Sequence, residues 1–393
     1  MKVAVIGSGP AGLMAAAIAS AKGAEVHVFE RRAALGRKLL IAGSSGLNIS
    51  HHLPRSEFLK HYEGFDSAFW DQLLAEYSVD DWVSFIETEL KLETFIGTSD
   101  RYFVREMKAS NLLKRWQELL LAQKVIFHPG HELFNFSRSD AGVDLQFSLL
   151  KHPDTLETHH FDRAGFFFGG GSWEDVPPTW PGLLARKGLE VLPLTARNVG
   201  YEVEWPKDFV REAQGLPLKK INFMTAKGSK LGELMVTEYG LEGTPIYFHG
   251  QVGTVFIDLK PDFTHAQIRE KLLEVRENLS PLRRVKKRLA LGPAALALIF
   301  HLAPAEVKAD LDLLIAFIKA VPVELLRPRP LLEAISSAGG LSLDEVTSNL
   351  ELKNFPGIYC GGEMLDWHSP TGGFLIQACV SQGARIGREL SRI

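Results

Sequence analysis

Cysteine is scarce in this chain, which has only Cys360 and Cys379 among its 393 residues. The two form neither a CxxC pair nor a zinc-ligand pattern, which argues against disulfide reductase chemistry and a metal site and favours a cytoplasmic protein. The net charge is small, 44 − 47 = −3, so no overall attraction to nucleic acid or to a membrane surface is expected. Because no apolar run approaches about 18 residues, no membrane-spanning helix is predicted.

The first 30 residues follow the order strand, glycine turn, helix, strand and acid. An apolar run at 3–6 ends in the sequence GSGPAG at 7–12, and a small-residue segment at 13–21 favours a helix. A second β-rich run at 25–29 is closed by Glu30, 18 residues after Gly12. This is the order of a dinucleotide-binding βαβ unit.

Each glycine of this motif has a distinct physical role in such a unit. Gly7 permits the tight turn, Gly9 lets the backbone approach a pyrophosphate, and Gly12 lets the helix lie close to the sheet. The free N–H groups at the helix start favour phosphate, and Glu30 accepts hydrogen bonds from an adenosine ribose. The motif predicts a dinucleotide site but does not distinguish NAD from FAD, and a glycine turn without a ligand is the alternative.

A loop at 35–50, with the sequence LGRKLLIAGSSGLNIS, is rich in glycine, serine and asparagine and has a basic start. Its many backbone N–H groups suit a ligand cradle. The alternative interpretation is a surface loop with a helix cap at Ser44 or Ser45. Residues 66–122 are predicted to be mostly helical, with a basic and aromatic connection at 100–108.

Short β-rich runs separated by turns occupy residues 125–168, and the last of them ends in GGGS at 169–172. The glycines allow a strand end to lie against a cofactor without a side-chain clash. A β-meander within an α/β domain, followed by a buried strand that ends in glycines, is typical of large flavoenzymes. The pattern therefore indicates an FAD-binding domain.

The chain is long for a single core, so two or three domains are expected. We expect the first part of an FAD-binding domain at 1–193, an inserted β-rich domain at 194–262, an inserted helical subdomain at 263–330 and the return of the FAD-binding domain at 331–393. Residues 283–288 in the helical part have the basic sequence RRVKKR. This face is either the solvated side of an amphipathic helix or a contact for the phosphates of RNA or another anion.

The C-terminal segment has the order strand, acid, glycine-rich turn and helix. A short strand at 357–360 leads into Gly362 and Glu363, and the sequence TGGF at 371–374 precedes a helix that extends to about residue 390. Glu363 is predicted to bond a ribityl or ribose hydroxyl, and the amides of Gly373 and Phe374 to face the N1–C2=O edge of a flavin. A helix N-terminus at that edge stabilises the negative charge that a flavin gains on reduction.

These motifs, in this order along nearly the whole chain, resemble the HI0933-like flavoprotein family within the glutathione-reductase-like FAD proteins. The matching segments are the glycine turn with Glu30, GRK at 36–38 through Asn48, residues 100–108, residues 232–243, and residues 362–373. The resemblance implies non-covalent FAD. It also implies an α/β fold with a Rossmann-like FAD-binding domain of the GR2 type, a β-meander, and an inserted β-barrel and helical subdomain.

The chain departs from the family pattern at three places. Gly46, Leu47 and Asn48 stand where many members have Arg-Cys-Asn, so a cysteine-dependent role is excluded there. Glu238 stands where many members have a histidine, so an acid–base histidine is not carried over. Val104 stands where the family has a proline.

The residues expected to contact the cofactor come from both ends of the chain and from the strand ends between them. They are Gly7, Gly9, Pro10, Ala11, Gly12, Glu30, Arg31, Arg37, Lys38, Leu39, Ser45, Asn48, Val125, Gly169, Gly170, Gly362, Glu363, Asp366, Thr371, Gly372, Gly373 and Phe374. The sequence does not single out a catalytic residue, and the candidates for carbonyl contacts and proton donation are Lys38, Asn48, Lys108, Glu238, His249 and His368.

The resemblance implies an FAD-dependent oxidoreductase, since some members of the family reduce a polarised carbon–carbon double bond in steroid-like acids or in the uracil of RNA. The hypothesis is the reduction of a small conjugated carbonyl substrate. The sequence has no second GxGxxG in a suitable place, so NAD(P)H is expected to visit the substrate pocket as a transient donor. The alternatives are an RNA-modifying flavoprotein that reduces uridine, with RNA as its partner, and a non-catalytic FAD-binding redox module.

Overall fold

The structure, a computed structural model, describes residues 1–43, 47–97, 100–274 and 279–392. It divides the chain into two compact units, one formed by Met1–Thr195 with Ile335–Ile393 and the other by Ala196–Ala334. Each unit has its own cluster of buried apolar side chains. The two ends of the chain therefore share one core, and the middle of the chain folds around another.

The N-terminal part of the chain contains both strands and helices, numbered in chain order. The strands are β1 (Lys2–Ile6), β2 (Glu25–Glu30), β3 (Asn48–His51), β4 (Thr94–Ile96), β5 (Arg101–Val104), β6 (Ile126–Pro129), β7 (His131–Ser139), β8 (Gly142–Leu149), β9 (His152–Phe161), β10 (Arg163–Phe166) and β11 (Val191–Arg197). The helices are α1 (Pro10–Ala21), α2 (Arg37–Ala42), α3 (Arg55–Leu59), α4 (Ser67–Glu76), α5 (Val79–Thr88), α6 (Ala109–Ala122) and α7 (Trp180–Arg186).

The middle of the chain and the returning segment contain the remaining elements. The strands are β12 (Tyr201–Glu202), β13 (Pro217–Thr225), β14 (Gly228–Val236), β15 (Gly240–Glu242), β16 (Gly253–Asp258), β17 (Val321–Leu325), β18 (Ser336–Leu341) and β19 (Ile358–Cys360). The helices are α8 (Lys207–Ala213), α9 (Thr244–His249), α10 (His265–Leu273), α11 (Pro281–Arg288), α12 (Pro293–Leu302), α13 (Ala305–Ala309), α14 (Leu311–Lys319) and α15 (Phe374–Leu390).

A five-stranded parallel sheet in the order β19-β10-β1-β2-β6 forms the centre of the first unit. Val3, Ala4 and Val5 of β1 are fully buried, as expected for a parallel strand that is covered on both faces. Because the strands all run in one direction, the loops that follow β1, β2, β10 and β19 meet at one edge of the sheet. We call this the carboxyl edge, and it is where ligands bind in folds of this kind.

The C-terminal helix α15 packs closely against the N-terminal helix α1 because glycines face it. A Cβ atom on Gly383 would lie 2.2 Å from the carbonyl oxygen of Ala11, and one on Gly387 would lie 2.7 Å from that of Ala15. Such distances leave no room for a side chain, so the two helices approach each other through backbone atoms. This contact brings the two ends of the chain together beside the sheet.

The first unit also contains two antiparallel three-stranded sheets, in the orders β7-β8-β9 and β3-β5-β4. The former is the predicted meander. The architecture predicted from the sequence, α/β with a Rossmann-like parallel sheet and a β-meander, is thus confirmed.

The second unit is built on a six-stranded sheet in the order β12-β15-β14-β13-β16-β17, with the registered pairs antiparallel. The amide of Leu326 donates to the carbonyl oxygen of Glu202 at 2.9 Å, and the amide of Glu202 donates to that of Arg327 at 2.9 Å. These bonds join the segment after β17 to β12, so the sheet closes into the predicted small barrel.

The structure does not separate the β-rich and helical parts of the second unit. Ile268 of α10 and Leu314 of α14 belong to the same buried cluster as Val255 of β16. Moreover, β17 lies inside the stretch predicted to be helical and pairs with β16. Its residues alternate between buried and exposed, which is the period of a strand rather than of a helix. Within the described ranges, no helix combines the length and the apolar character needed to cross a membrane.

Candidate dinucleotide site

The glycine turn between β1 and α1 is fixed by contacts with its own chain at two of its three glycines. Gly7 has φ +110° and its amide donates to the carbonyl oxygen of Phe29 at 2.8 Å. A Cβ on Gly12 would lie 2.0 Å from the carbonyl oxygen of Gly7, so α1 sits directly on the turn. A Cβ on Gly9, in contrast, would meet no atom of the described residues within 4 Å. Thus Gly7 and Gly12 are needed by the fold, whereas the open side of Gly9 is accessible to a ligand.

Glu30, the acid at the end of β2, lies against this turn. Its Oε2 accepts hydrogen bonds from both the amide and the hydroxyl of Ser8, the former at 3.2 Å, and its Oε1 accepts from the amide of Arg32 at 3.0 Å. The Ser8 hydroxyl also accepts from the amide of Gly36 at 3.0 Å. The side chain of Ser8 therefore connects the glycine turn with Glu30 and with the start of the following loop.

Three arginines near Glu30 form ion pairs with the segment that follows β10. Glu174 Oε2 lies 2.5 Å from Arg31 Nη2 and 2.7 Å from Arg32 Nη2, and Asp175 Oδ1 lies 3.0 Å from Arg37 Nη2. Burial raises the pKa of Glu174, but the hydrogen bonds from Arg32 and Arg31 outweigh it and hold that pKa below its ordinary value. The carboxylate is therefore charged at neutral pH and keeps these cations at the carboxyl edge.

Lys38 connects the loop after β2 with both the glycine segment after β10 and the C-terminal segment. Its Nζ lies 3.2 Å from Glu363 Oε2 and donates to the hydroxyl of Ser172 at 3.1 Å. Glu363 Oε1 in turn accepts from the amide of Ser337 at 2.9 Å. A Cβ on Gly170 would lie 1.9 Å from the Ser337 hydroxyl, so glycine is required where these segments converge.

Gly362, at the end of β19, lies beside the start of α1. A Cβ at this position would lie 3.2 Å from the Cβ of Ala11 and 4.0 Å from the Sγ of Cys379. Its amide donates to Gln382 Oε1 at 2.7 Å. Burial, followed by the nearby charge of Glu363, raises the pKa of Cys379 to about 12, so this cysteine is a neutral thiol at physiological pH.

The turn before α15 lies against strand β3. Gly373 has φ +95° and a Cβ there would lie 2.5 Å from the Cα of Ser50. The ring of Phe374 stacks on His51 with centroids 5.1 Å apart. At the start of the same strand, Asn48 has a side-chain oxygen that is shielded from solvent and has no hydrogen-bond partner among the described residues.

A family model described as "HI0933-like protein Rossmann domain" matches residues 1–389 of this sequence. The chain belongs to this family. The family predicted from the sequence motifs is thereby confirmed.

The fold of this HI0933-like chain is similar to those of three solved structures. For the 3-ketosteroid-Δ4-(5α)-dehydrogenase from Rhodococcus jostii RHA1, the identity is 14%, the TM-score 0.55, and the match covers 100% of this chain and 96% of that one. For Sdh1 from Mycobacterium smegmatis the identity is 13% and the TM-score 0.54, and the match covers 100% of this chain and 69% of that one. For a flavocytochrome c3 fumarate reductase the identity is 14% and the TM-score 0.53, and the match covers 100% of this chain and 78% of that one. At these identities the similarity shows a shared fold.

Some predicted contact residues of this HI0933-like chain lie away from the carboxyl edge. Val125 precedes β6, and the register pairs Glu30 with Pro129 at the far end of that strand. Val125 therefore lies at the amino end of β6, because β6 runs parallel to β2. Leu39 is buried within α2, with 3% of its surface exposed. Ser45 lies outside the described residues.

Three further predicted contact residues, Asp366, Gly372 and Pro10, also have roles in the fold itself. Asp366 Oδ1 accepts a hydrogen bond from the amide of Gly339 at 3.0 Å, which ties it to β18. His51 Nδ1 lies 3.2 Å from the carbonyl oxygen of Gly372. Pro10 is the first residue of α1, where its missing N–H is tolerated. Thr371 and Gly169 lie in the turns that precede α15 and follow β10, respectively.

The catalytic candidates are divided between the two units. Lys38, Asn48 and His368 lie in the first, as does Lys108, which is exposed immediately before α6. Glu238 is exposed and His249 ends α9, both in the second unit. Burial, together with the charges of two nearby lysines, lowers the pKa of His249, so its imidazole is neutral at pH 7. Roles for these residues remain predictions.

The basic stretch 283–288 forms most of helix α11, with Val285 buried against the second core. Arg284 donates from Nε to the carbonyl oxygen of Leu279 at 3.0 Å, which makes it a structural residue. Arg288 lies 3.7 Å from Glu274. Lys286 is exposed. A contact between this face and RNA phosphates remains a prediction.

Sequence reasoning missed the serines that hold the site together, namely Ser8, Ser172 and Ser337. Ser8 occupies a variable position of the glycine motif, so the motif gives no signal for it. Ser337 is buried at 1% exposure, and its hydroxyl accepts from the amide of Gly171 at 3.0 Å, across 166 residues of sequence. The small-residue run SSAGG at 336–340 is a signal in the sequence that could have drawn attention to this segment.

Proposed function

We propose that this HI0933-like chain is an FAD-dependent oxidoreductase whose cofactor lies along the carboxyl edge. The observation that carries the proposal is the convergence of both chain ends at that edge. The glycine turn, Glu30 and the Gly169–Gly170 segment come from the N-terminal part, and Gly362, Glu363 and the turn before α15 come from the C-terminal part. An elongated ligand with two nucleotide halves matches a site that extends over several strand ends.

Polar atoms without partners and open backbone indicate that these residues suit FAD. The open side of Gly9 allows a pyrophosphate to approach the backbone at the start of α1. Arg37 Nε and Asn48 Oδ1 are shielded from solvent and lack hydrogen-bond partners among the described residues. Buried polar atoms are normally satisfied, so such atoms at a cradle point to a ligand that completes them.

The two halves of FAD would be held by different ends of the chain. Residues 9–12 and Glu30 would hold the pyrophosphate and the adenosine ribose, since amides at a helix start favour phosphate and a carboxylate accepts from hydroxyls. Glu363 would accept from a ribityl hydroxyl, in place of one of its bonds to Lys38 and Ser337. The amides of Gly373 and Phe374 would face the pyrimidine edge of the flavin.

When bound, FAD supplies hydride transfer, which no protein side chain performs. The chain's contribution at the flavin is electrostatic. Helix α15 has 17 residues, and its positive N-terminal end favours the negative charge that develops at the pyrimidine edge on reduction. Lys38 adds a cation beside Glu363. These groups favour the reduced cofactor and so support an oxidoreductase role.

For the reaction, we propose the reduction of a polarised carbon–carbon double bond in a small conjugated carbonyl compound, with NAD(P)H as the donor. The family resemblance supports this reaction class. It is also in keeping with two proteins of the same fold, which are named for a ketosteroid and for fumarate. Fumarate and the 4-androstene-3,17-dione bound to the ketosteroid enzyme each have a carbon–carbon double bond next to a carbonyl group. A general acid must then protonate the carbon, for which His368, Glu238 and His249 are the candidates.

The donor is tested by mixing the FAD-loaded chain with NADH or NADPH without oxygen. We expect the absorbance of oxidised flavin to disappear with at least one of the two, faster than for free FAD at the same concentration. The chain holds the flavin and the donor together, and this converts a bimolecular step into a unimolecular one.

If dithionite bleaches the bound flavin but neither nicotinamide does, NAD(P)H is not the donor. Steady turnover with a conjugated carbonyl acceptor would exclude the non-catalytic module. The blank is the chain without FAD, mixed with the same nicotinamide and followed at the same wavelength.

A further inference from the structure

The segment at 100–108, predicted as a basic and aromatic connection, contributes the central strand of a small sheet. Strand β5 lies between β3 and β4, and Arg101 is its first residue. Arg101 is opposite His51 in the register of this sheet, and Phe103 is opposite Asn48. Opposite residues project to the same side of a sheet, and so do residues two apart in one strand. The side chains of Arg101, His51 and Asn48 therefore share one face.

An irregularity in β3 brings Asn48 and His51 to the same face. The register of β3 shifts between Asn48 and Ser50. Residues three apart lie on opposite faces of a regular strand, whereas one extra residue returns them to the same face. Bulges of this kind re-aim side chains and are common beside active sites. We call the face that carries Asn48, His51 and Arg101 the Arg101 face.

The Arg101 face borders the turn before α15. His51 Nδ1 lies 3.2 Å from the carbonyl oxygen of Gly372, and the rings of His51 and Phe374 stack with centroids 5.1 Å apart. The same turn is where the pyrimidine edge of the flavin is proposed to lie. The Arg101 face is therefore at the flavin end of the proposed cofactor site rather than at its adenosine end.

Arg101 is half-buried and lacks a counter-charge. Its Nε is shielded from solvent and has no hydrogen-bond partner among the described residues. Burial lowers the pKa of its guanidinium, and within the described chain no carboxylate acts against that effect. The guanidinium is nevertheless charged at physiological pH. Because a cation withdrawn from water normally has a paired anion, this one indicates an anion that the chain itself does not supply.

Two other arginines of the first unit show the difference. Arg32 Nη2 lies 2.7 Å from Glu174 Oε2. Arg105 Nε, in the same segment as Arg101, lies 2.6 Å from Glu93 Oε2. Both of these cations are compensated by carboxylates of the chain, whereas Arg101 is not.

We propose that Arg101 binds a carboxylate group of the substrate. The guanidinium presents its N–H groups in a planar fork that matches the two oxygens of a carboxylate. A carboxylate next to a carbon–carbon double bond is also a carbonyl group that polarises this bond. The substrate class is therefore an unsaturated carboxylic acid. This assignment rests on the proposed function, since it places the acid at the flavin end of the same site.

The C2 carbonyl oxygen of the flavin is a second acceptor that suits the same guanidinium chemistry. The two ligands differ in what the loss of the guanidinium weakens. If Arg101 binds the substrate, its removal lowers the affinity for carboxylates and leaves the affinity for FAD unchanged. If it binds the flavin, the affinity for FAD falls instead.

The test uses two variants of Arg101 and one matched control. Arg101→Met keeps an unbranched side chain and removes the charge, and Arg101→Lys keeps the charge but loses the planar fork. Arg105→Met is the control, because Arg105 carries the same charge in the same segment and is already paired with Glu93.

The FAD-loaded chain is titrated with acetate and, separately, with trans-cinnamate, and the absorbance of the oxidised flavin is followed. Chloride keeps the ionic strength constant, so that screening does not contribute. We expect the wild type and Arg105→Met to bind at least one of these carboxylates with equal affinity. Arg101→Met should bind it at least about tenfold more weakly, and Arg101→Lys should be intermediate. Cinnamamide, which lacks the charge, should not distinguish the wild type from Arg101→Met.

Three results of this titration would overturn the proposal. The first is that neither carboxylate changes the flavin absorbance of the wild type. The second is that Arg101→Met and Arg105→Met bind the carboxylates equally well. The third is that Arg101→Met keeps its affinity for carboxylates but loses affinity for FAD, since the guanidinium then holds the flavin.

Urea unfolding without FAD gives a second readout, which a structural arginine would move in the opposite direction. Because the unpaired cation is unfavourable in the ligand-free chain, Arg101→Met is expected to leave the unfolding constant unchanged or to lower it. A rise of more than about tenfold would show that Arg101 supports the fold, and would also overturn the proposal. Failure of the wild type to bind FAD refutes the proposed function but leaves this comparison, which requires no cofactor.

Discussion

Replacing Gly9 by valine is expected to reduce the affinity for FAD by at least about 100-fold, or about 2.7 kcal/mol, and to lower the stability of the fold by at most about 1 kcal/mol. Gly9 has φ −74° and ψ 177°, which any residue adopts, and in the part of the chain that the structure describes no atom lies within 4 Å of a Cβ placed there. The valine side chain therefore enters only the space that the pyrophosphate is proposed to use. The measurement is a fluorescence titration of FAD, paired with urea unfolding.

Gly292→Val is the matched control for this substitution. Gly292 precedes a proline at the start of α12, has φ −68° and ψ 164°, and a Cβ there also meets none of the described residues within 4 Å. Both substitutions replace a glycine N-cap by a poor one, so each should cost up to about 1 kcal/mol of stability. Only Gly9→Val should lose FAD. Equal retention of FAD in the two variants would show that the open side of Gly9 does not face the cofactor.

Replacing Gly383 by alanine is expected to destabilise the first unit by about 2 kcal/mol and to weaken FAD binding as well. The added Cβ would lie 2.2 Å from the carbonyl oxygen of Ala11, which forces α15 away from α1. Overpacking of this kind costs about 1–3 kcal/mol, and it opposes a gain of up to about 1 kcal/mol from better helix propensity. Because α15 and α1 both border the proposed cofactor site, and Gly362 lies against Ala11 of α1, the displacement reaches Gly362.

Gly182→Ala separates the packing effect from helix propensity. Gly182 lies in α7, and the nearest atom to a Cβ there is the flexible end of Arg186, at 3.5 Å. This variant should be more stable than the wild type by up to about 1 kcal/mol. The measurement is the urea midpoint of unfolding for the wild type, Gly383→Ala and Gly182→Ala under the same conditions. If Gly383→Ala is as stable as Gly182→Ala, the close contact of the two chain ends is not a requirement of the fold.

The parts of the site that the sequence predicted are those that depend on local backbone. A tight turn with φ +110° at Gly7 and a helix resting on Gly12 require glycine whatever surrounds them, so a short motif identifies them. The cap of α15 at Gly373 is predictable for the same reason. That the two chain ends form one unit was also predictable, since both ends contain a strand, an acidic residue and the start of a helix.

The parts that the sequence did not predict depend on contacts between distant segments. The hydroxyl of Ser337 holds the amide of Gly171, and Glu174 holds Arg31 and Arg32, yet neither pairing has a local signature. The sequence also could not show that Val125 lies at the amino end of β6, away from the carboxyl edge, because this depends on the direction of β6 relative to β2. Pattern alone gives the existence of a strand but not the position of its ends.

The central claim is that both ends of the chain form one site for a dinucleotide flavin. Equilibrium dialysis of the purified chain against FAD and, separately, against FMN tests it most directly. The account predicts one FAD per chain and much weaker binding of FMN, which lacks the adenosine half that the glycine turn and Glu30 are proposed to hold. Equal binding of FMN and FAD, or no binding of FAD, would contradict it.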